Sequence, residues 1–81
     1  MAKPSSQHAG DPILRKLGVA IRRERLKQGI SQENLALAAG VDRSYMGGIE
    51  RGQHNLTVMS LAKIASAIGK SISELLVEAN L

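Results

Sequence analysis

The chain has 81 residues, a formal charge of +4 and a pI near 10.0, which bounds it to one small basic domain. It contains no cysteine and a single aromatic residue, Tyr45. That excludes a disulfide framework, a cysteine-ligated zinc site, a thiol nucleophile and the aromatic platform on which single-stranded nucleic acids stack.

Residues 1–10, MAKPSSQHAG, are polar and carry no apolar stretch of the kind a secretory signal needs. They read as a disordered tail, ahead of one domain over 11–81. Asp11-Pro12 then reads as a helix N-cap followed by proline at the first helical position. Ile13, Leu14, Leu17, Ile21 and Leu26 give the first helix an apolar stripe, and Gly29 closes it. Ser31 caps a second helix that carries Leu35, Ala38 and Ala39 and stops at Gly40. Asp42 caps a third, with Tyr45, Met46 and Ile49 as its apolar positions and Gly52 at its end. After the polar loop Gln53-His54-Asn55, Thr57 caps a fourth helix, in which Val58, Leu61, Ile64, Ala65 and Ile68 recur every three or four residues. Ser71-Ile72-Ser73-Glu74 has the form of a capping box and opens a fifth, with Leu75 and Leu76. No segment alternates as a strand would, and helices this short need tertiary packing to persist. The expected fold is all-α: a compact five-helix domain.

The charge is uneven. Residues 1–29 carry Lys3, Arg15, Lys16, Arg22, Arg23, Arg25 and Lys27 against Asp11 and Glu24, while the remainder of the chain is close to neutral. A basic segment in a small domain points to a polyanionic partner, nucleic acid before membrane; a solvated helix face is the plainer reading. No apolar run approaches the ~18 residues of a membrane span. A cytoplasmic location follows as the default.

The most informative window is QENLALAAGVDRSYMGGIER, residues 32–51. Two short helices are joined by a tight turn at Gly40-Val41-Asp42. Ala36 is small where the helices would cross, and Gly40 suits a turn needing positive φ. Leu35, Ala39, Val41, Met46 and Ile49 would face inward; Gln32, Arg43, Ser44, Gly47, Gly48 and Arg51 would face outward. This is the pattern of a helix-turn-helix, whose second helix fits the DNA major groove.

The segments IRRERLKQGISQENLALAAGV, IERG and NLTVMSLAKIASAIGKSISELL resemble the lambda-repressor/Cro-type (XRE-type) helix-turn-helix family over roughly residues 14–76. Within it, DRSYMGGIERGQHNLT is similar to the controller proteins of restriction–modification systems. The resemblance implies a lambda-repressor-like fold and a transcriptional regulator that binds a palindromic double-stranded DNA operator as a homodimer. RNA polymerase is a further candidate partner. The alternative is an antitoxin or a protein-interaction adaptor built on the same domain. No histidine, carboxylate or serine grouping has the spacing of a metal or catalytic site, so neither an enzyme nor a cofactor is expected.

The expected DNA-contacting residues are Gln32, Arg43, Ser44, Tyr45, Gly47, Arg51, Gln53, His54 and Asn55. Arg43 can pair bidentately with guanine, and Ser44 can meet a base or a phosphate. Tyr45 either contacts DNA, as the resemblance implies, or packs its ring between helices. Gln32, beside the positive end of the second helix, can hold a phosphate. Gln53, His54 and Asn55 would meet the backbone of the same half-site. Histidine stands at position 54 where the controller pattern leads one to expect a basic residue; an exposed imidazole there would make phosphate attraction pH-sensitive. Gly47-Gly48 costs helix stability, about 0.8–1.0 kcal/mol per glycine, and Gly47 offers no side chain to a base. Arg22, Arg23 and Lys27 cannot all face DNA, and Lys3 would add non-specific attraction. The resemblance pairs Arg25 with Glu50 as an internal brace. Ile68, Ile72, Leu75, Leu76 and Leu81 either supply a two-fold contact or cover the core.

Overall fold

The structure is a computed structural model and describes residues 8–81. Five helices follow in order: α1 Pro12–Lys27, α2 Gln32–Ala39, α3 Arg43–Glu50, α4 Val58–Ala67 and α5 Ile72–Glu78. Each begins at the expected cap. Asp11 accepts from Ile13 N, Ser31 from Asn34 N, Asp42 from Tyr45 N, Thr57 from Ser60 N and Ser71 from Glu74 N, at 2.9–3.0 Å. The capping box is complete, because Ser71 N donates to Glu74 Oε1 at 2.8 Å. These bonds satisfy amides that a helix start leaves without an intrahelical acceptor.

The core holds Leu17, Ala20 and Ile21 of α1, Leu35, Ala36 and Ala39 of α2, Met46 and Ile49 of α3, and Ile64, Ala65, Ile68, Leu75 and Ala79 from the C-terminal part. The α2 helix packs on both α3 and α4, and α1 packs on α3 and α5. Ala36 is buried at the α2–α3 crossing as expected. Gly18 sets the approach of α1 to the end of α3: a Cβ there would lie 2.5 Å from the Ile49 carbonyl oxygen and 2.6 Å from that of Glu50. The result is a body of 31 × 28 × 20 Å.

The structure corrects the apolar stripe of α1. Leu26 and Ile13 are more than half exposed rather than part of the α1 stripe. Leu26 lies nine positions beyond Leu17, which at about 100° per residue is the opposite side of the helix; Ile13 sits in the first turn, short of the core. Glu24 is buried instead, beside Arg25, whose burial fits the expected internal brace; Lys27 Nζ and Lys70 Nζ approach Glu24 at 3.2 and 3.6 Å. At the other end of the chain, Ile68 and Leu75 are fully buried, Ile72 and Leu76 half-buried, and only Leu81 of the five is exposed. Most of that apolar content covers the core. The expected tail over 1–10 lies largely outside the described residues, as does Lys3. Its last part, from His8, forms a turn in which Gly10 N donates to Gly52 O at 2.8 Å.

Candidate nucleic-acid interface

The turn between α2 and α3 is fixed by backbone chemistry. Gly40 adopts φ +72°, which lets Val41 N donate to Ala36 O at 2.9 Å. Asp42 then starts α3. Its Oδ1 accepts from both Tyr45 N at 3.0 Å and Ser44 Oγ at 2.6 Å. The Ser44 hydroxyl, and after it the Tyr45 amide, hold the Asp42 carboxyl below its usual range. With its proton directed at Asp42, the Ser44 hydroxyl faces outward as an acceptor, which suits a base amino group better than a phosphate oxygen.

Behind this surface stands an ion pair. Arg25 Nε donates to Glu50 Oε2 at 2.7 Å and Arg25 Nη2 to Glu50 Oε1 at 3.1 Å, while Arg25 Nη1 donates to Ile30 O at 3.0 Å. Gln32 Nε2 completes the cluster by donating to Glu50 Oε1 at 3.0 Å. The pair expected from the family resemblance is therefore present, and it joins α1, the start of α2 and the end of α3. Gln32 is half-buried, with part of its donor capacity turned inward.

Seven of the nine expected contact residues line one cleft of about 200 Å³: Gln32, Arg43, Ser44, Gly47, Arg51, Gln53 and His54. Arg43 and Arg51 are exposed at its rim, and Arg51 Nε and Nη2 donate to Gln53 Oε1 at 3.3 and 3.2 Å. Gly47 is buried rather than outward-facing; a Cβ there would lie 3.1 Å from Arg51 Nη1 and 3.4 Å from Gln32 Oε1. The missing side chain is what leaves the cleft open. Asn55 is exposed beyond the cleft. Arg22, Arg23 and Lys27 are exposed on α1.

His54 departs most from expectation. It is 5% exposed, not a solvated loop residue. Its ring stacks on Tyr45 with centroids 4.5 Å apart and planes tilted by 37°. On the other side it sits against Gly48, where a Cβ would collide with His54 Nε2 and lie 2.6 Å from Cδ2. The second glycine of α3 is thus a seat for an imidazole. Burial, and after it the nearby Arg51 charge, push the His54 pKa down, opposed by Asp42. Tyr45 is half-buried against this ring, close to the packed alternative. The sequence carried one signal of the arrangement, a glycine inside a helix.

The fold and this geometry define a helix-turn-helix domain, and the chain belongs to the helix-turn-helix family, whose profile matches residues 21–75. Among its relatives is a hypothetical transcription factor of Neisseria meningitidis serogroup B, 37% identical over 60 residues, 74% of this chain and 57% of that one. The chain thus spans little more than half of that relative. The restriction-modification controller protein C.AhdI from Aeromonas hydrophila is 45% identical, with a TM-score of 0.75 over 76% of this chain and 94% of that one. The controller C.Esp1396I, solved bound to a 25 base pair operator site, is 37% identical with a TM-score of 0.75 over 84% of this chain and 93% of that one. The resemblance to controller proteins read from the sequence is borne out. No helix among the described residues is long and apolar enough to cross a membrane.

Proposed function

We propose that the chain is a transcriptional regulator that binds a palindromic double-stranded DNA operator as a homodimer, in the manner of a restriction–modification controller. The observation that carries this is the exposed start of α3. Arg43 and Ser44 project from a helix whose position is fixed by the Asp42 cap, the Gly40 turn and the Arg25–Glu50–Gln32 cluster. A helix so held enters the major groove without ordering a segment on binding, and Arg43 there discriminates guanine by roughly 1–3 kcal/mol. Arg51, Gln53 and the N-terminal amides of α2 flank it on the side where sugar-phosphate contacts fix register. The likeness to a controller solved on its operator supports the same reading. One short helix reads few base pairs, so two copies about 34 Å apart are needed to read an operator. The reading places the protein in the cytoplasm, acting by binding rather than catalysis, with RNA polymerase as a further partner.

Selection from a random double-stranded DNA library at about 150 mM salt, where non-specific phosphate binding is weak, tests it. Enrichment of an inverted repeat is the expected result. Weak binding without any enriched sequence contradicts it and favours an interaction module.

A further inference from the structure

The His54 seat reverses the pH response that an exposed loop histidine would give. An exposed imidazole beside a phosphate gains charge in acid and binds DNA more tightly. A ring enclosed between Gly48 and Tyr45 does the opposite, because a new cation in that slot loses hydration and gains little in return. The charged groups around it are few: Arg51 at the end of α3 repels it, Arg43 lies across the same cleft, and Asp42 at the α3 cap is the one carboxylate that attracts it. The phenol of Tyr45 is neutral, and Gln32 and Gln53 bring no charge to the cleft.

We propose that His54 is a positioning residue for DNA reading: its neutral ring, seated on the bare backbone of Gly48, holds Tyr45 in place on α3, and protonation expels the ring and loosens that face. The inference rests on the DNA-reading role argued above. It assigns Gly48 a purpose that accounts for a helix-weakening residue, since any side chain at that position meets the ring. It also gives the protein an acid-sensitive affinity. The sign follows from the depressed pKa. The seated ring favours the neutral form, so seating is strongest above the ordinary histidine pKa of about 6.5 and weakens as pH falls below it. At about pH 5.5 the released state gains at most about tenfold, the ratio set by a free imidazole one unit above the ambient pH.

The test is operator affinity between about pH 7.5 and 5.5, measured by fluorescence anisotropy on the selected duplex with far-UV circular dichroism alongside. The wild-type chain is expected to lose affinity in acid, by no more than about tenfold, while keeping its helicity, and His54→Phe, which fills the slot but cannot charge, to hold a flat profile. His8→Gln, altering the only other histidine, should follow wild type. Wild-type affinity that is flat or rises in acid overturns the proposal, as does an equal acid loss in His54→Phe. A second readout needs neither DNA nor a variant: in the free protein, the NMR signals of the Tyr45 ring should move with the His54 titration. Tyr45 signals unmoved through that titration overturn the proposal. Failure to select any DNA sequence would instead sink the regulatory reading and leave this coupling measurable.

Discussion

Replacing Arg25 with methionine isolates the brace on which the recognition helix rests. Glu50 has a side chain only 2% exposed and receives two of its three donors from Arg25. After Arg25→Met the carboxylate keeps Gln32 alone, in a site where water cannot replace the guanidinium. Removing one partner of a buried pair costs about 3–5 kcal/mol, far above the loss at a surface ion pair. A core of this size supplies only about 3–5 kcal/mol in total, so the variant should be largely unfolded at room temperature. Urea denaturation followed by far-UV circular dichroism measures the loss. The double variant Arg25→Met/Glu50→Leu removes both charges and should recover most of the stability, because a buried pair replaced by apolar residues is often neutral or better. A loss below about 1 kcal/mol in the single variant, or a double variant no better than the single one, would refute the argument that the pair is a buried brace.

Gly18→Ala should destabilise by about 1–3 kcal/mol in thermal or urea unfolding, despite a helix-propensity gain near 1 kcal/mol, because the new Cβ meets backbone oxygens of α3 that cannot rotate away. Leu35→Ala, which empties a fully buried position between α2 and the rest of the core, should cost about 2–5 kcal/mol by the same assay. Arg43→Ala should leave the unfolding midpoint unchanged, since the residue is exposed, yet weaken the selected operator by roughly 1–3 kcal/mol and relax preference at one base position in competition binding.

The helices and their starts were legible in the sequence because the chemistry is local. Asp11, Ser31, Asp42, Thr57 and Ser71 each cap with an oxygen reaching two or three residues along, and no tertiary knowledge is needed to expect it. The inward set of α2 and α3 was equally readable, because spacing and side-chain size specify a two-helix crossing. What failed depends on where partners end. The α1 stripe overran into Leu26, while Glu24 turned inward to a charge 46 residues away, Lys70; the Arg25–Glu50 pair was legible only through the family resemblance. Periodicity records apolar faces and is silent on charges that are buried as pairs. The C-terminal apolar residues read as surplus in sequence because the α1 and α4 surfaces that α5 covers are set only by the tertiary fold. His54 is hidden from the sequence for a related reason: a histidine in a polar loop reads as solvated, and only the bare backbone of Gly48, on a different element, makes room for it.

The central claim is that the exposed face of α3 and its flanks read double-stranded DNA. Titrating the isotopically labelled chain with its selected duplex, at salt near 150 mM to suppress non-specific phosphate binding, tests this residue by residue through amide NMR shifts. The largest changes should fall on Gln32, on Arg43 to Gly47 and on Arg51 to Asn55, the residues that line the α3 cleft and their neighbours along the chain. Changes confined to the outer face of α1 or to α5, with the α3 amides unmoved, would contradict it.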